Sequence, residues 1–427
     1  MRMARRSANS QTVKIYRVGG SVRDELLGRA DADRDWVVVG GTPEMLIASG
    51  YQPVGRDFPV FLHPETREEY ALARTERKHG RGYRGFEFFV SPDVTLEEDL
   101  ARRDLTINAM ARDEQGRLID PFGGAADLSA GILRHVSPAF VEDPLRVLRV
   151  ARFAARFGFA VAPKTIALMR DLVKADELEE LPPERVWQEL ARGLMEAHPS
   201  RMLSVLRDCG ALARLLPEVD ALFRADTRGR RAGPDAGVRV ARAVDAAAER
   251  SFALPVRYAL LVHDLGRPQS PAAGRRERVG STASNVRIAE QVSARLKVPV
   301  ECRDAARLAA RWRRIVDRAR ELRPAMLLDL MTAADALRRP ERLETLLDVC
   351  VCNASSESGA GEDYPPARIL RAALAVVKGV DAGAIARAVG TETADAARRA
   401  DLIAKAVRAA RLKAVRAWRD ADIRATQ

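Results

Sequence analysis

Asp33 and Asp35 stand two residues apart in Asp33-Arg34-Asp35-Trp36-Val37-Val38-Val39, at the mouth of a β-branched run. Strand alternation puts both carboxylates on one face. Like charges that close repel, and a cation between them removes the cost. Mg2+ takes oxygen ligands from one or two acids and completes its shell with substrate phosphate. Two solvated turn acids ahead of a strand would look the same. Upstream lies Gly19-Gly20-Ser21-Val22-Arg23-Asp24. A glycine pair between strand and helix lets backbone N–H groups approach a phosphate, and Arg23, early in that helix, is placed to reach the same anion. By itself such a pair is equally a plain tight turn.

Downstream, Asp143 and Arg146 in Glu142-Asp143-Pro144-Leu145-Arg146 are three apart, neighbours on one helical face. Cytosine and adenine carry an exocyclic amine where uracil and guanine carry a carbonyl. A carboxylate only accepts and a guanidinium only donates, so Asp143 suits the amine and Arg146 the ring acceptor beside it. A helical salt bridge explains the same spacing. Arg146, Arg149, Arg152 and Arg156 continue at three- and four-residue steps, as a solvated basic face or as a grip on triphosphate.

The elements that position these residues change character along the chain. Strands are expected at 14–18, 35–39, 60–62, 69–73 and 86–90, with helices over 21–27 and, capped by Thr42 with Pro43 in its first turn, over 44–48. A basic, glycine-rich loop is expected at 74–85. After Ser137-Pro138 the pattern is helical almost throughout, broken near 181–183, 228–237 and 353–362. No fixed-period repeat is present.

Composition sets outer bounds. A chain of 427 residues exceeds one hydrophobic core, so roughly two to four compact units are expected. It is 47% hydrophobic and 30% charged, with only 5% aromatic residues, which favours helix. No apolar run approaches the length of a membrane span, and residues 1–12 read as a basic, flexible end without a secretory signal. Cys209, Cys302, Cys350 and Cys352 have neither metal-site nor disulfide spacing, which fits a reduced cytoplasm. The charge of +12 suits a polyanionic partner, nucleic acid or anionic lipid alike.

Jointly, the glycine-arginine stretch and the paired acids resemble the DNA polymerase β-type nucleotidyltransferases. Three further motifs narrow the resemblance to the tRNA nucleotidyltransferase / poly(A) polymerase family, class II: Arg102-Arg103-Asp104-Leu105-Thr106-Ile107-Asn108, Asp120-Pro121-Phe122-Gly123-Gly124 and the Glu142–Arg146 stretch. The likeness is dense from residue 14 to about 194, looser to about 265, and faint beyond. It implies an α+β protein with a polymerase-β-like head at 13–137. An all-helical neck at 138–225, body at 226–352 and basic tail at 353–427 would follow. It also implies Mg2+ on Asp33 and Asp35, which are both metal ligands and catalytic. Nucleotide would be held by Gly20, Arg23, Arg103, Asp143, Arg146, Arg149 and Arg152, and Glu69 is the candidate third acid. The implied reaction is template-independent addition of CCA to tRNA from CTP and ATP, with release of pyrophosphate.

Within the family, poly(A) polymerases and CC-adding enzymes are the rivals. Pro183-Glu184-Arg185-Val186-Trp187-Gln188-Glu189-Leu190 resembles an element typical of CCA-adding enzymes, and the 74–85 loop resembles one needed for the terminal A. A non-catalytic RNA-binding protein on the same scaffold is opposed by the intact acid and base-reading pairs. His263-Asp264-Leu265-Gly266 resembles the core of a His-Asp phosphohydrolase domain, but no other histidine follows His198. Two adjacent side chains cannot assemble that metal site, so a hydrogen-bonded pair in a degenerate fold is expected. Oligomeric state is not encoded in any motif.

Overall fold

The computed structural model describes residues 13–29, 34–54, 60–78, 86–223, 236–266, 282–358, 364–389 and 396–426. Asp33, the N-terminal end, the 79–85 part of the expected loop and most of the expected 228–237 break lie outside them. The chain divides into two compact units, Met1–Pro217 and Glu218–Gln427.

The first unit begins with a mixed sheet. Its strands are β1 (Lys14–Val18), β2 (Asp35–Val39), β3 (Gln52–Val54), β4 (Val60–Leu62) and β5 (Glu69–Leu72), while β6 (Arg74–Lys78) pairs with β7 (Phe86–Val90) as a separate ribbon. Two-residue strands β8 (Ala111–Arg112) and β9 (Leu118–Ile119) complete an order of β3-β4-β5-β2-β1-β8-β9. β2 runs antiparallel to β1 and parallel to β5, with Asp35 opposite Glu69 and Val37 opposite Ala71. Alternation then sorts the sheet's faces. Val18 and Val37 join Leu96, Leu100 and Ala109 on one side, whereas Val38, Tyr70 and Leu72 join Leu46 and Phe61 on the other. Two expectations are corrected here. Arg74–Lys78 is a strand rather than loop, because the pairing of Arg74 with Val90 through Lys78 with Phe86 holds a charged segment extended. The expected 69–73 strand ends at Leu72.

Helices α1 (Gly20–Leu26), α2 (Pro43–Ala48), α3 (Leu96–Ala101) and α4 (Gly124–Ala130) decorate this sheet. Thr42 caps α2 as expected, and Thr95 with Glu98 forms a reciprocal capping box on α3. At the start of α4, Asp120 accepts from the N–H groups of Gly124 and Ala125 at 2.7 and 2.9 Å. Gly124 itself lies so close to the preceding turn that a Cβ would meet the Thr106 carbonyl oxygen at 2.2 Å. Backbone cannot swing aside, so Gly124→Ala should destabilise the fold by about 1–3 kcal/mol, read as a lowered denaturation midpoint.

The same unit continues through short β10 (Ile132–Leu133) and β11 (Ala160–Val161), then α5 (Arg146–Phe157), α6 (Pro163–Lys174), α7 (Pro183–Met195), α8 (Pro199–Asp208) and α9 (Ala211–Leu215). α5 is apolar on most of its circumference, with Val147, Leu148, Val150, Ala151 and Ala154 buried against α7 and α8. It stops at Gly158, whose left-handed φ of 72° costs glycine little.

After α10 (Pro217–Asp220), the second unit is helical: α11 (Ala236–Glu249), α12 (Leu254–Val262), α13 (Thr282–Arg295), α14 (Val300–Val316) and α15 (Pro324–Ala333). These are followed by α16 (Pro340–Ser358), α17 (Pro365–Lys378), α18 (Ala382–Val389) and α19 (Ala396–Thr426). The expected break at 353–362 is corrected in its first half, since α16 runs on to Ser358. Asn353, Ser355 and Ser356 are polar, yet their side chains donate to the carbonyls of Val349, Val351 and Asn353 in their own helix. No helix among the described residues is long and apolar enough to cross a membrane.

Candidate active site

Between the sheet and α5 lies a cavity of about 510 Å3. It is lined by Gly19, Gly20 and Arg23 from β1–α1 and by Asp35 and Glu69 from the sheet. Arg102, Arg103, Asp104 and Asn108 line it from the turn after α3, and Asp143, Arg146, Arg149 and Arg185 from the helical side. Asp35 and Glu69 are therefore two acids on facing positions of adjacent parallel strands, both at the cavity wall. Their hard oxygens and mutual repulsion fit a divalent cation. Among the described residues no group of three or more His, Cys, Asp or Glu side chains forms a metal cage. Mg2+ needs none, because it fills its shell from substrate and water.

The cationic wall is built by buried acids. Asp99 is fully buried and accepts from Arg102 at 2.6 Å and from Arg103 at 3.3 Å. Burial would raise its carboxyl, but the two guanidinium charges outweigh that and hold it low. Arg103 leans over Gly19, whose φ of 71° and lack of a Cβ leave room for it; a Cβ there would stand 2.7 Å from Arg103 Nη1. Buried Arg103 Nε has no acceptor among the described residues, a donor left over at the cavity wall.

Asp104 works the same way. Its Oδ2 takes Arg149 Nε at 2.8 Å, and its Oδ1 takes Asn108 Nδ2 at 3.0 Å. Burial raises this carboxyl, yet the charge of Arg149 and the hydrogen bonds from Asn108 and Arg149 prevail and bring it to about 2. Asn108 Oδ1 in turn accepts from Arg23 Nη1 at 2.5 Å. Arg23 is held further by paired bonds to Asp24 at 2.9 Å and lies over the rings of Phe153 and Phe157. Arg156 reaches the same Asp24 carboxylate at 3.1 Å. One network thus ties α1, the turn at 104–108 and α5 around the cavity.

Two expectations change. Asp143 is not on a helical face with Arg146. It is extended (φ −110°, ψ 103°) ahead of α5, because the following Pro144 disfavours helical backbone at Asp143. From there its Oδ1 accepts from Leu145 N at 3.0 Å, and its Oδ2 lies 3.6 Å from Arg185 Nη2. Arg146 donates to the carbonyls of Ala139 and Arg102 at 2.7 and 2.6 Å. Nor is the arginine stripe a solvated face: Arg149, Arg152 and Arg156 each meet a carboxylate. Arg152 is buried against Glu189 at 2.7 Å, and it is not among the residues lining the cavity. Sequence reasoning had not singled out Asp99, Asp104, Asn108 or Glu189 as site residues. Only Asp99 carried a signal in spacing, three and four residues from Arg102 and Arg103; the arginines that Asp104, Asn108 and Glu189 hold lie 45, 85 and 37 residues away.

The chain is similar to proteins named multifunctional CCA protein. The one from Azoarcus sp. (strain BH72) is 55% identical over 410 residues, covering 95% of this chain and 98% of the relative. That of Nitrosomonas europaea is 57% identical over 377 residues, covering 88% and 91%. The chain belongs to the multifunctional CCA protein family. Two family models match, "Poly A polymerase head domain" at 15–134 and "Probable RNA and SrmB- binding site of polymerase A" at 158–223. Among solved structures, the Bacillus stearothermophilus CCA-adding enzyme in complex with CTP matches with TM-score 0.65 and 25% identity over 97% of this chain and 94% of that one. The Thermotoga maritima CCA-adding enzyme complexed with tRNA shares the fold at TM-score 0.53 and 22% identity, over 86% and 79%. The nucleotidyltransferase head and helical remainder expected from the sequence are those of this family.

In the second unit, the His263-Asp264 pair is built into the core. His263 is buried and its Nδ1 donates to the Leu260 carbonyl at 3.0 Å. Asp264 Oδ1 accepts from Arg314 at 2.6 Å and from Asn285 at 3.2 Å, so a guanidinium stands against the carboxylate. Arg275, Arg276 and Arg278, a short way on in sequence, lie outside the described residues. No phosphatase or cyclic-phosphodiesterase activity is expected with added Ni2+, Co2+ or Mg2+; metal-stimulated phosphate release that disappears in His263→Ala would contradict this. Burial, then the charge of Arg313, pushes His263 down to about 4. Its neutral form therefore stabilises the fold above the ordinary histidine range. As pH falls from about 6.5 to 4, only the unfolded chain takes the proton, and up to about 3 kcal/mol of stability is lost. Denaturant midpoints over that window should fall in the wild-type chain and flatten in His263→Gln.

Proposed function

We propose that this protein repairs and completes the 3′ end of tRNA, adding CCA without a nucleic-acid template from CTP and ATP and releasing pyrophosphate. The observation that carries the reading is a single cavity with two acids at its sheet side and Asp143 with Arg146 at its helical side, joined by a guanidinium-lined wall. One triphosphate can span acids that handle phosphate and groups that handle a base edge.

In this account Asp35 and Asp33, two residues before it in sequence, would hold Mg2+, and Glu69 would supply a third oxygen ligand. Bound there, divalent ions would supply activation of the RNA 3′-hydroxyl and charge relief for the leaving pyrophosphate. Arg103 and Arg149 meet the triphosphate, Gly20 admits it to the backbone, and Arg23 holds the wall around it. Arg152 backs that wall from outside the lining, through Glu189. Asp143 accepts from the amine of cytosine or adenine, and Arg146 donates to the neighbouring ring acceptor. The helical neck, body and tail grip tRNA through phosphate contacts and shape. The four cysteines among the described residues are buried free thiols, which suits a reduced, cytoplasmic setting.

A poly(A) polymerase is the nearest rival, and ATP alone separates the two. Given tRNA ending in CC and ATP with Mg2+, this protein should add one A and stop. A growing run of A would overturn the reading.

A further inference from the structure

α7 carries two charged side chains one turn apart, Arg185 and Glu189, which reach towards the segment ahead of α5 and towards α5 itself. Glu189 is buried and takes Arg152 of α5 at 2.7 Å. One turn earlier, Arg185 Nη2 lies 3.6 Å from Asp143 Oδ2. The other Asp143 oxygen is held by Leu145 N at 3.0 Å. One carboxylate oxygen is thus hydrogen-bonded to backbone, and the other faces a guanidinium at ion-pair distance. Arg185 and Asp143 both line the cavity and are 25% and 23% exposed, so they meet at its wall rather than in the core.

A carboxylate that reads a base must keep one lone-pair direction in the plane of the base edge. Tethered at a single oxygen, it could turn about its Cβ–Cγ bond and offer the base a poorer acceptor. We propose that Arg185 is a specificity-setting positioning residue: it fixes the plane of the Asp143 carboxylate and so sharpens the choice of C and A over U and G. This rests on the reading that Asp143 meets the base edge. The role suits arginine rather than lysine, because a planar fork of donors defines a plane and an ammonium does not. Glu189, through Arg152, holds α7 against α5 and so sets where Arg185 stands.

The test uses the full-length chain as Arg185→Gln, Arg185→Lys, Asp143→Ala and the Arg185→Gln/Asp143→Ala double variant. With tRNA lacking its CCA end, kcat and KM are measured separately for CTP and UTP. For an ion pair about one-quarter exposed, Arg185→Gln should lower the CTP-over-UTP preference by about threefold to fivefold, with the KM for CTP changed much less. Arg185→Lys should recover part of the preference, and it keeps the test alive if the glutamine variant does not fold. On the Asp143→Ala background, Arg185→Gln should add nothing further. If Asp143→Ala relaxes base choice while Arg185→Gln and Arg185→Lys leave it unchanged, the base-edge reading stands and the role of Arg185 is overturned. Unchanged choice in all the variants would instead sink the base-edge reading itself. An equal rise in KM for CTP and UTP, with preference intact, would make Arg185 a triphosphate ligand and overturn the proposal.

Discussion

Asp35→Ala should abolish the addition of both C and A while leaving tRNA binding nearly intact. Asp35 opens β2 at the cavity wall, in register with Glu69 on the parallel neighbour. If one metal site serves every cycle, removing its central ligand removes both activation of the 3′-hydroxyl and charge relief at pyrophosphate. Several kcal/mol of transition-state stabilisation go with it, at least about a 1,000-fold loss in rate. Asp33→Ala should behave alike. Glu69→Ala separates a ligand from a solvated strand acid: a ligand's loss costs rate for both nucleotides, whereas a bystander's costs little. Single-turnover rates for CTP and ATP, with a parallel tRNA-binding assay, give the answer. Retention of A addition alone in Asp35→Ala would mean that the two nucleotides are handled by different sites.

The second large effect falls on selectivity. Asp143→Ala should relax base choice far more than it weakens triphosphate binding, since the arginines and backbone that would meet phosphate are untouched. Losing a hydrogen bond to a charged acceptor costs about 1.5–3 kcal/mol, or roughly 10- to 100-fold in discrimination. Competition of UTP and GTP against CTP and ATP on the same tRNA reads it directly. A folded Asp143→Ala variant that still rejects UTP would reduce Asp143 to its observed partners, Leu145 N and Arg185.

Much of the head was legible because its strands announce themselves. Lys14–Val18, Asp35–Val39, Val60–Leu62 and Phe86–Val90 were read with the bounds the structure shows, each a β-branched or aromatic run closed by turn residues. Ala111–Arg112, Leu118–Ile119, Ile132–Leu133 and Ala160–Val161 were not, since two residues carry no period; tertiary pairing alone makes them strands. Arg74–Lys78 was missed for a related reason, being too charged to look like a strand until Phe86–Val90 pairs with it.

At the site, residue types were legible and roles less so. The sequence identified Asp35, Asp143, Arg146 and Arg149, and all four line one cavity. It misjudged how Asp143 is presented, although the Asp143-Pro144 dipeptide carried the clue. It also placed Arg152 with the triphosphate, whereas Glu189, 37 residues away in sequence, draws that side chain behind the wall. Long-range partners of this kind leave no periodic trace. From the missing histidines the His263-Asp264 pair was expected to be a hydrogen-bonded pair, but Arg314, 50 residues on from Asp264, could not be foreseen as its counter-ion.

The central claim is that one cavity adds two kinds of nucleotide in a fixed order and then stops. The most direct measurement gives tRNA lacking its last three nucleotides to the full-length protein with Mg2+, and sequences the products. CTP alone should extend the tRNA by two residues, CTP with ATP by three ending in CCA, and UTP or GTP by none. Arrest after CC with both nucleotides present, or a lengthening tail of A, would contradict the account.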